Sequence, residues 1–552
     1  MIFKFWSKES GFPSIWMRWL FALVVAGCLV AFAINTNAEF SLTGRPAFDL
    51  LFLAGAGNFL WYCFVRTLPG WSFRRQIWWI LPVVLLQVLG LFCFRMDGLY
   101  GNGRPTFVWR WSLDSADRQF SDRHMVEFQY HPSADDPWPG FRGRDRAGSI
   151  HGVRVAGFAD HEPKLVWERE VGSGWSSFAI SDTVCITQEQ RGESETVVCY
   201  ELATGKQLWE YADSVRFDDP TSGTGPRATP TIDQELVFSF GATGILNCLD
   251  VRSGELIWSR DVLIENEIEN RNFGMTGSPL VIDDRVVVAP GGEGTSLISY
   301  QRDNGEPVWS AGSETASYSS PHYGQICGVA AVLCLNGDGL SCHRWSDGEP
   351  MFHVPWTSNA AEKNNVCQPI VLSDPQAELS KVFISSGYGR GSAVFEISNR
   401  DGKFEVKDVW RSKRLKSKFA SAVVKGKFVY GLDNGILTCL GLEDGRRQWK
   451  QGRYGHGQLI LAGEDLIVLS ERGYLAQVKC DPDQFVESGR VPALSVQGGR
   501  TWNHPSFDGQ YLLVRNSQQA MCYEIEAWHN PQPVSAEVTD DGESGGAMES
   551  SK

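Results

Sequence analysis

A basic surplus is missing from this 552-residue chain. It carries 51 Lys and Arg against 65 Asp and Glu, a formal net charge of −14. It therefore lacks the cationic excess that phosphate neutralisation demands, and the balance speaks against a nucleic-acid partner. Cysteine is sparse, 13 residues in 552, too few for a scaffold built on disulfides. His-Glu-x-x-His, Gly-x-Ser-x-Gly and Gly-x-x-x-x-Gly-Lys-Ser/Thr are all absent, which removes the usual zinc-protease, serine-hydrolase and nucleotide-phosphate signatures. The 10 His are scattered without metal-ligand spacing, and acid pairs such as Asp283-Asp284 fall in expected hairpin turns. No catalytic residue and no metal ligand is assigned. Wholesale disorder is also excluded, because 43% of the residues are hydrophobic and only 21% charged.

The apolar residues are unevenly placed. Runs at 19–34 (extensible back to Ile15), 47–65 and 77–94 each approach the ~20 residues that a bilayer core requires. They predict a three-span membrane anchor over residues 1–95. Lys4, Lys8 and Arg18 precede the first run, Arg66, Arg74 and Arg75 separate the second from the third, and only Arg45 lies between the first two. That asymmetry places the amino terminus inside and everything after Phe94 outside. Val25-Ala26-Gly27-Cys28 resembles a lipoprotein cleavage box and Thr36-Asn37-Ala38 a signal-peptidase site, but apolar sequence continues beyond both, so an uncleaved anchor is expected.

With 21 Trp and 57 Gly, the remainder has the composition of aromatic strands parted by glycine turns. An internal repeat organises it. Cys199…Gly205…Trp209, Cys248…Gly254…Trp258, Ser299…Gly305…Trp309, Cys342…Gly348…Phe352 and Cys439…Gly445…Trp449 share one frame, the small residue six before Gly and the aromatic four after it. Each reads as a strand, a tight turn and a return strand bearing one large anchor. A second mark opens each unit, at Ser177-Phe178, Thr229-Pro230, Ser278-Pro279, Ser320-Pro321, Gln368-Pro369, Ser421-Ala422, Gly457-Gln458 and His504-Pro505. Four short strands per unit, eight times over, predict an all-β, eight-bladed β-propeller across 163–528. Residues 163–171, with Trp167 in the anchor position, match an outermost strand that no blade precedes, while the last unit lacks a fourth strand. The amino-terminal strand is therefore expected to close the last blade. Residues 96–162, with the knot Trp138-Pro-Gly-Phe-Arg142-Gly-Arg-Asp-Arg146, read as a juxtamembrane segment packing on the propeller. Residues 529–552 read as a disordered acidic tail.

These motifs resemble the pyrroloquinoline-quinone-like β-propellers, whose blades carry Ala-x-Asp-x-x-Thr-Gly-x-x-x-Trp. Glu201…Thr204-Gly205…Trp209 and Asp250…Ser253-Gly254…Trp258 approximate it. The run from Trp138 through Gly387-Tyr-Gly-Arg-Gly looks like that of membrane-linked bacterial members. The resemblance implies a bacterial protein of the inner membrane with its propeller on the periplasmic side. It covers roughly 138–528 and is specific for fold rather than activity, since the family holds both quinoprotein dehydrogenases and a non-catalytic assembly propeller of the outer membrane. The dehydrogenases hold their quinone against two adjacent cysteines; no two cysteines are adjacent here, and Cys-x-x-Cys-His is absent. Pyrroloquinoline quinone is accordingly disfavoured and no cofactor is expected.

Trp167, Trp209, Trp258, Trp309 and Trp449 are read as structural anchors, and Cys199, Cys248, Cys342 and Cys439 as buried, unpaired thiols. Cys327 and Cys334 are the one pair close enough in sequence to bridge easily, and their state stays open. One functional constellation remains. The loops entering each innermost strand and the turns between second and third strands share a face around the axis. They supply Trp175, Arg227, Lys418, His456 and Trp502, together with Arg390, Arg472 and Arg515. Cations converging on a funnel suit an anionic ligand despite the acidic total. The favoured reading is a membrane-tethered, non-catalytic module binding a protein or an anionic envelope polymer. A quinone-dependent oxidoreductase and a sensor of a small anion are the alternatives.

Overall fold

The computed structural model describes residues 85, 93–103, 105–112, 115–118, 120, 128–133, 135–360, 362–495 and 500–529. The chain divides into two compact units, Met1–Ser112 and Leu113–Lys552. In the first, Phe94–Leu99 pairs antiparallel with Pro105–Trp109, and Trp109 and Trp111 meet with ring centroids 5.1 Å apart.

The second unit is a propeller. Eight sheets of four or five strands follow one another along the chain. The first comprises Ala179–Ser181, Val184–Arg191, Ser194–Glu201 and Gln207–Asp213. The others open at Thr231, Leu280, His322, Ile370, Val423, Gln458 and Ser506, each at or just after one of the sequence marks. The eighth sheet is completed by Lys164–Glu170, in which Trp167 lies opposite Cys522. The ring is closed by a strand that precedes the first blade in the sequence, which gives the last blade its fourth, outermost strand.

Two local devices explain the repeat. At the axis, the hydroxyl that opens one blade accepts the backbone N–H that opens the blade before it. Ser177 N donates to Thr229 Oγ1 (3.1 Å), Thr229 N to Ser278 Oγ (2.9 Å), Ser278 N to Ser320 Oγ (2.9 Å) and Gln368 N to Ser421 Oγ (2.9 Å). Small hydroxyl residues recur there because they satisfy buried donors in space too tight for larger groups. At the rim, small residue and aromatic are cross-strand partners: Cys199 faces Trp209, Cys248 Trp258, Ser299 Trp309, Cys342 Phe352 and Cys439 Trp449. The indoles of Trp167, Trp209, Trp258, Trp309 and Trp410 each lie on the turn glycine of the next blade, while Trp449 meets Phe485 instead. A Cβ on Gly254 would sit 2.5 Å from the Trp209 ring, and Trp209 Nε1 donates to Val251 O at 2.7 Å. Trp167, Trp258, Trp309 and Trp449 donate likewise to Leu202, Arg302, Trp345 and Asp481. Cys199, Cys248, Cys342 and Cys439 are buried and free, and Cys327 and Cys334 are also unpaired.

Residues 138–150 thread into the axial channel. Trp138 O accepts from Ile180 N (2.8 Å), Pro139 O from Ile232 N (2.7 Å) and Gly148 O from Leu461 N (2.8 Å). Arg142 Nη2 donates to Ala422 O at 2.8 Å. Arg146 donates to Ser278 O (3.1 Å), Pro321 O (2.9 Å) and Pro279 O. Phe141 packs edge-on against His504 with centroids 5.0 Å apart. These partners come from blades one, two, three, four, six, seven and eight, so the segment fills the channel from all sides. The seventh blade gains Ser149–Ile150 as a fifth, parallel strand.

The expected membrane anchor needs correction. No helix among the described residues is long and apolar enough to cross a membrane. The helical elements described whole are Val262–Glu265 and the 3-10 turn Ser115–Asp117, far short of the ~20 residues a crossing takes. The runs 19–34, 47–65 and 77–94 lie outside the described residues except for Leu85, Cys93 and Phe94, and Phe94 opens a β-strand. The three membrane helices are withdrawn, and with them the integral membrane partner and the multi-pass inner-membrane location. The acidic tail from 530 onward also lies outside the described residues.

Candidate functional site

On the face formed by the entry loops, four of the eight sequence candidates gather. Trp175 and Trp502 have centroids 4.9 Å apart. Phe419 lies 4.6 Å from Trp502 and 5.7 Å from His456. The Lys418 ammonium stands 4.8 Å from the Tyr388 ring and 5.1 Å from Phe419, and the Arg500 guanidinium is 5.4 Å from Trp175 and 5.0 Å from Trp502. All these rings are half-buried. The result is a mouth of four aromatic rings and an imidazole carrying two cations.

Its walls are set by hydrogen bonds from below. Gln458 Nε2 donates to Phe419 O (3.1 Å) and Trp502 O (2.7 Å), so one buried amide fixes both aromatic loops. Asn503 Nδ2 donates to Gly174 O (3.2 Å) and Ser176 O (2.7 Å), tying the Trp502 loop to the Trp175 loop. Trp502 Nε1 donates to Glu471 Oε1 at 3.0 Å, and His456 N to Glu471 Oε2 at 3.0 Å. Trp175 Nε1 donates to Ser222 O at 2.7 Å. Gly387 lets Lys418 approach Tyr388, since a Cβ there would lie 2.7 Å from Lys418 Cα. Burial pushes the His456 pKa down to about 4, with Lys418 adding to the effect and Glu471 opposing it. Its imidazole is neutral at pH 7 and does not repel a cation nearby. Burial also lowers the Lys418 pKa, against the pull of Glu471.

The other four candidates have different surroundings. Arg227 is buried within its own loop, donating to Ser222 Oγ (2.9 Å), Gly223 O (2.6 Å) and Gly225 O, over the Phe217 ring at 4.5 Å. Arg515 is wholly buried at the seam of blades eight and one, bonded to Thr187 Oγ1 (2.7 Å), Gln188 O (3.1 Å) and Gly172 O (2.9 Å). Arg390 lies over Trp356 at 4.0 Å, and Arg472 is exposed. Phe419, Tyr388 and Arg500 escaped the sequence reading. The cue for the first was the basic run at 411–418, with five Lys or Arg in eight residues, leading straight into Phe419.

Fold and repeat together describe an eight-bladed β-propeller whose repeats are similar to those of the pyrroloquinoline-quinone-like propellers. The sequence pattern of the family described as outer membrane protein assembly factor BamB matches residues 193–451. Outer membrane protein assembly factor BamB of Moranella endobia (strain PCIT) is 21% identical over 333 residues, 52% of this chain and 82% of that protein. The crystal structure of BamB from Moraxella catarrhalis covers 66% of this chain and 99% of that one, at 15% identity and a TM-score of 0.48. A quinohemoprotein alcohol dehydrogenase from Pseudomonas putida HK5 covers 71% and 80%, at 12% identity and a TM-score of 0.51, a likeness of fold alone.

Proposed function

We propose that this propeller is a protein-binding module whose mouth receives an acidic, aromatic-bearing segment of a partner protein. The observation that carries the reading is the convergence of Trp175, Trp502, Phe419 and Tyr388 with Lys418 and Arg500 at one end of a channel filled by residues 138–150. Aromatic and Arg side chains held rigidly at a concave surface are the groups that dominate protein interfaces. The basic run at 411–418 beside them favours an acidic partner. The relatedness to an assembly factor supports the same class of role.

No quinone cofactor enters this reading. A quinone of the dehydrogenase kind needs a divalent cation and its donors. Among the described residues no group of three or more His, Cys, Asp or Glu could hold a metal ion, and the adjacent cysteine pair is lacking. Neither observation supports placing a quinone in this propeller.

Fluorescein-labelled nonapeptides alternating Glu with Phe, titrated against the purified chain, test the proposal by anisotropy. Binding should fall with salt, and by at least about tenfold in Trp502→Ala or Lys418→Gln. Equal affinity for the matching Lys-Phe peptide, or unchanged affinity in both variants, overturns it.

A further inference from the structure

The segment filling the channel carries two arginines into the protein interior without a counter-charge. Arg142 is 1% exposed and Arg146 5%. Arg146 is provided for by the three carbonyl oxygens of Ser278, Pro279 and Pro321. Arg142 is not. Its Nη2 donates to Ala147 O (2.7 Å) and Ala422 O (2.8 Å), but Nε and Nη1 have no partner. The buried Nδ1 atoms of His322 and of the half-buried His504 also lack one. Both imidazoles feel the arginines: burial and then the nearby guanidinium charge hold His322 at about 3 and His504 well below its ordinary value. They are neutral at pH 7.

No carboxylate answers this charge. Among the described residues neither arginine makes an ion pair. The acid that acts on Arg142, Asp145, is exposed, and the Cys367 thiol beside it is kept protonated by burial. Water alone would serve the unpaired donors, and also the partnerless Oε1 atoms of Gln368 and Gln458. It would leave a buried cation uncompensated, which a low-dielectric interior disfavours. Both arginines also sit in the left-handed backbone region, φ +61° and +55°, where a side chain is retained against a steric preference.

We propose that Arg142 Nε and Nη1 bind a small inorganic anion of the halide class, with His322 and His504 beside it. With Arg142 only 1% exposed, the occupant is a compact anion, and the site is separate from the mouth through which a protein segment would bind.

Crystals of the full chain soaked in bromide provide one arm of the test. An anomalous peak is expected within about 3.5 Å of Arg142 Nε or Nη1; its absence overturns the proposal. Thermal melting provides the other, with sodium bromide exchanged for sodium glutamate at constant ionic strength. Tm should climb with the logarithm of halide concentration once the site's Kd is exceeded, and the climb should vanish in Arg142→Gln. A Tm indifferent to halide in the wild type shows binding at crystal concentration only and overturns the proposal. So does an unchanged dependence in a folded Arg142→Gln. If that variant does not fold, the two wild-type arms decide.

Discussion

Cations are held in two ways along this axis. At the mouth, Lys418 and Arg500 rest on the faces of Tyr388, Phe419, Trp175 and Trp502. In the core, Arg142 and Arg146 are bound by carbonyl oxygens from blades three, four and six. A ring face engages charge for ~0.5–2 kcal/mol and leaves the geometry adaptable. A carbonyl cradle fixes it, and each oxygen abandoned in the interior is costly. The mouth is thereby suited to exchange partners, and the core to hold one arrangement.

The sharpest way to break this contrast is to exchange the readouts. Arg146→Met should strand three buried carbonyls and destabilise the fold by ~3–5 kcal/mol in urea unfolding, whereas Trp502→Ala should cost about 1 kcal/mol or less. Equal losses would mean that the mouth is as structural as the core. Ring closure should rival the core: Trp167→Ala removes a buried anchor bonded to Leu202 O and should cost ~3–5 kcal/mol. A Trp167→Ala chain unfolding at the wild-type midpoint would contradict the closing role of its strand.

A smaller effect separates the regions by pH. His322 and His504 in the core and His456 at the mouth all have folded pKa values below 6.5. The unfolded chain then binds more protons, so stability is fully present above pH 6.5 and is lost as pH falls toward the folded values. Each histidine contributes a slope of about 1 kcal/mol per pH unit in that window. Urea midpoints measured from pH 4.5 to 7 should show the slope reduced by His322→Asn and by His456→Asn alike. Only the latter should also alter peptide binding.

The smallest effect is kinetic. Cys367 is wholly buried beside Arg142, and its labelling by a thiol reagent reports whether the channel stays filled. Substitutions at the mouth should leave that rate unchanged, while Arg146→Met should raise it. Acceleration by Lys418→Gln would join the two regions into one.

Much of the ring was legible because its devices are local and repeated. A hydroxyl at each blade opening and an aromatic four residues after a turn glycine have the same neighbours every time. Trp410 broke the pattern. Its hairpin runs through Gly391–Arg400 and Lys403–Ser412, so its distance from Gly402 is eight residues rather than four, although its indole still donates to Leu442 O. The site was half legible. Entry loops could be placed on one face, but depth could not: Arg227 and Arg515 differ from Lys418 only in which carbonyls happen to surround them. The insertion of residues 138–150 was beyond reach for the same reason, since its partners come from seven different blades and no local spacing encodes them.

The order in which these parts are made sets the order in which they can be finished. Lys164–Glu170 leaves the ribosome before any blade, yet its partner Gln519–Glu524 follows only after seven further blades. At 5–20 residues per second the wait is roughly 20–70 s. During that time Trp167 and an unpaired edge are open to other chains, and residues 138–150 have only part of their cradle. The final blade and the channel segment are therefore completed together, after synthesis has passed Glu524. A chain stopped short of that point forfeits both.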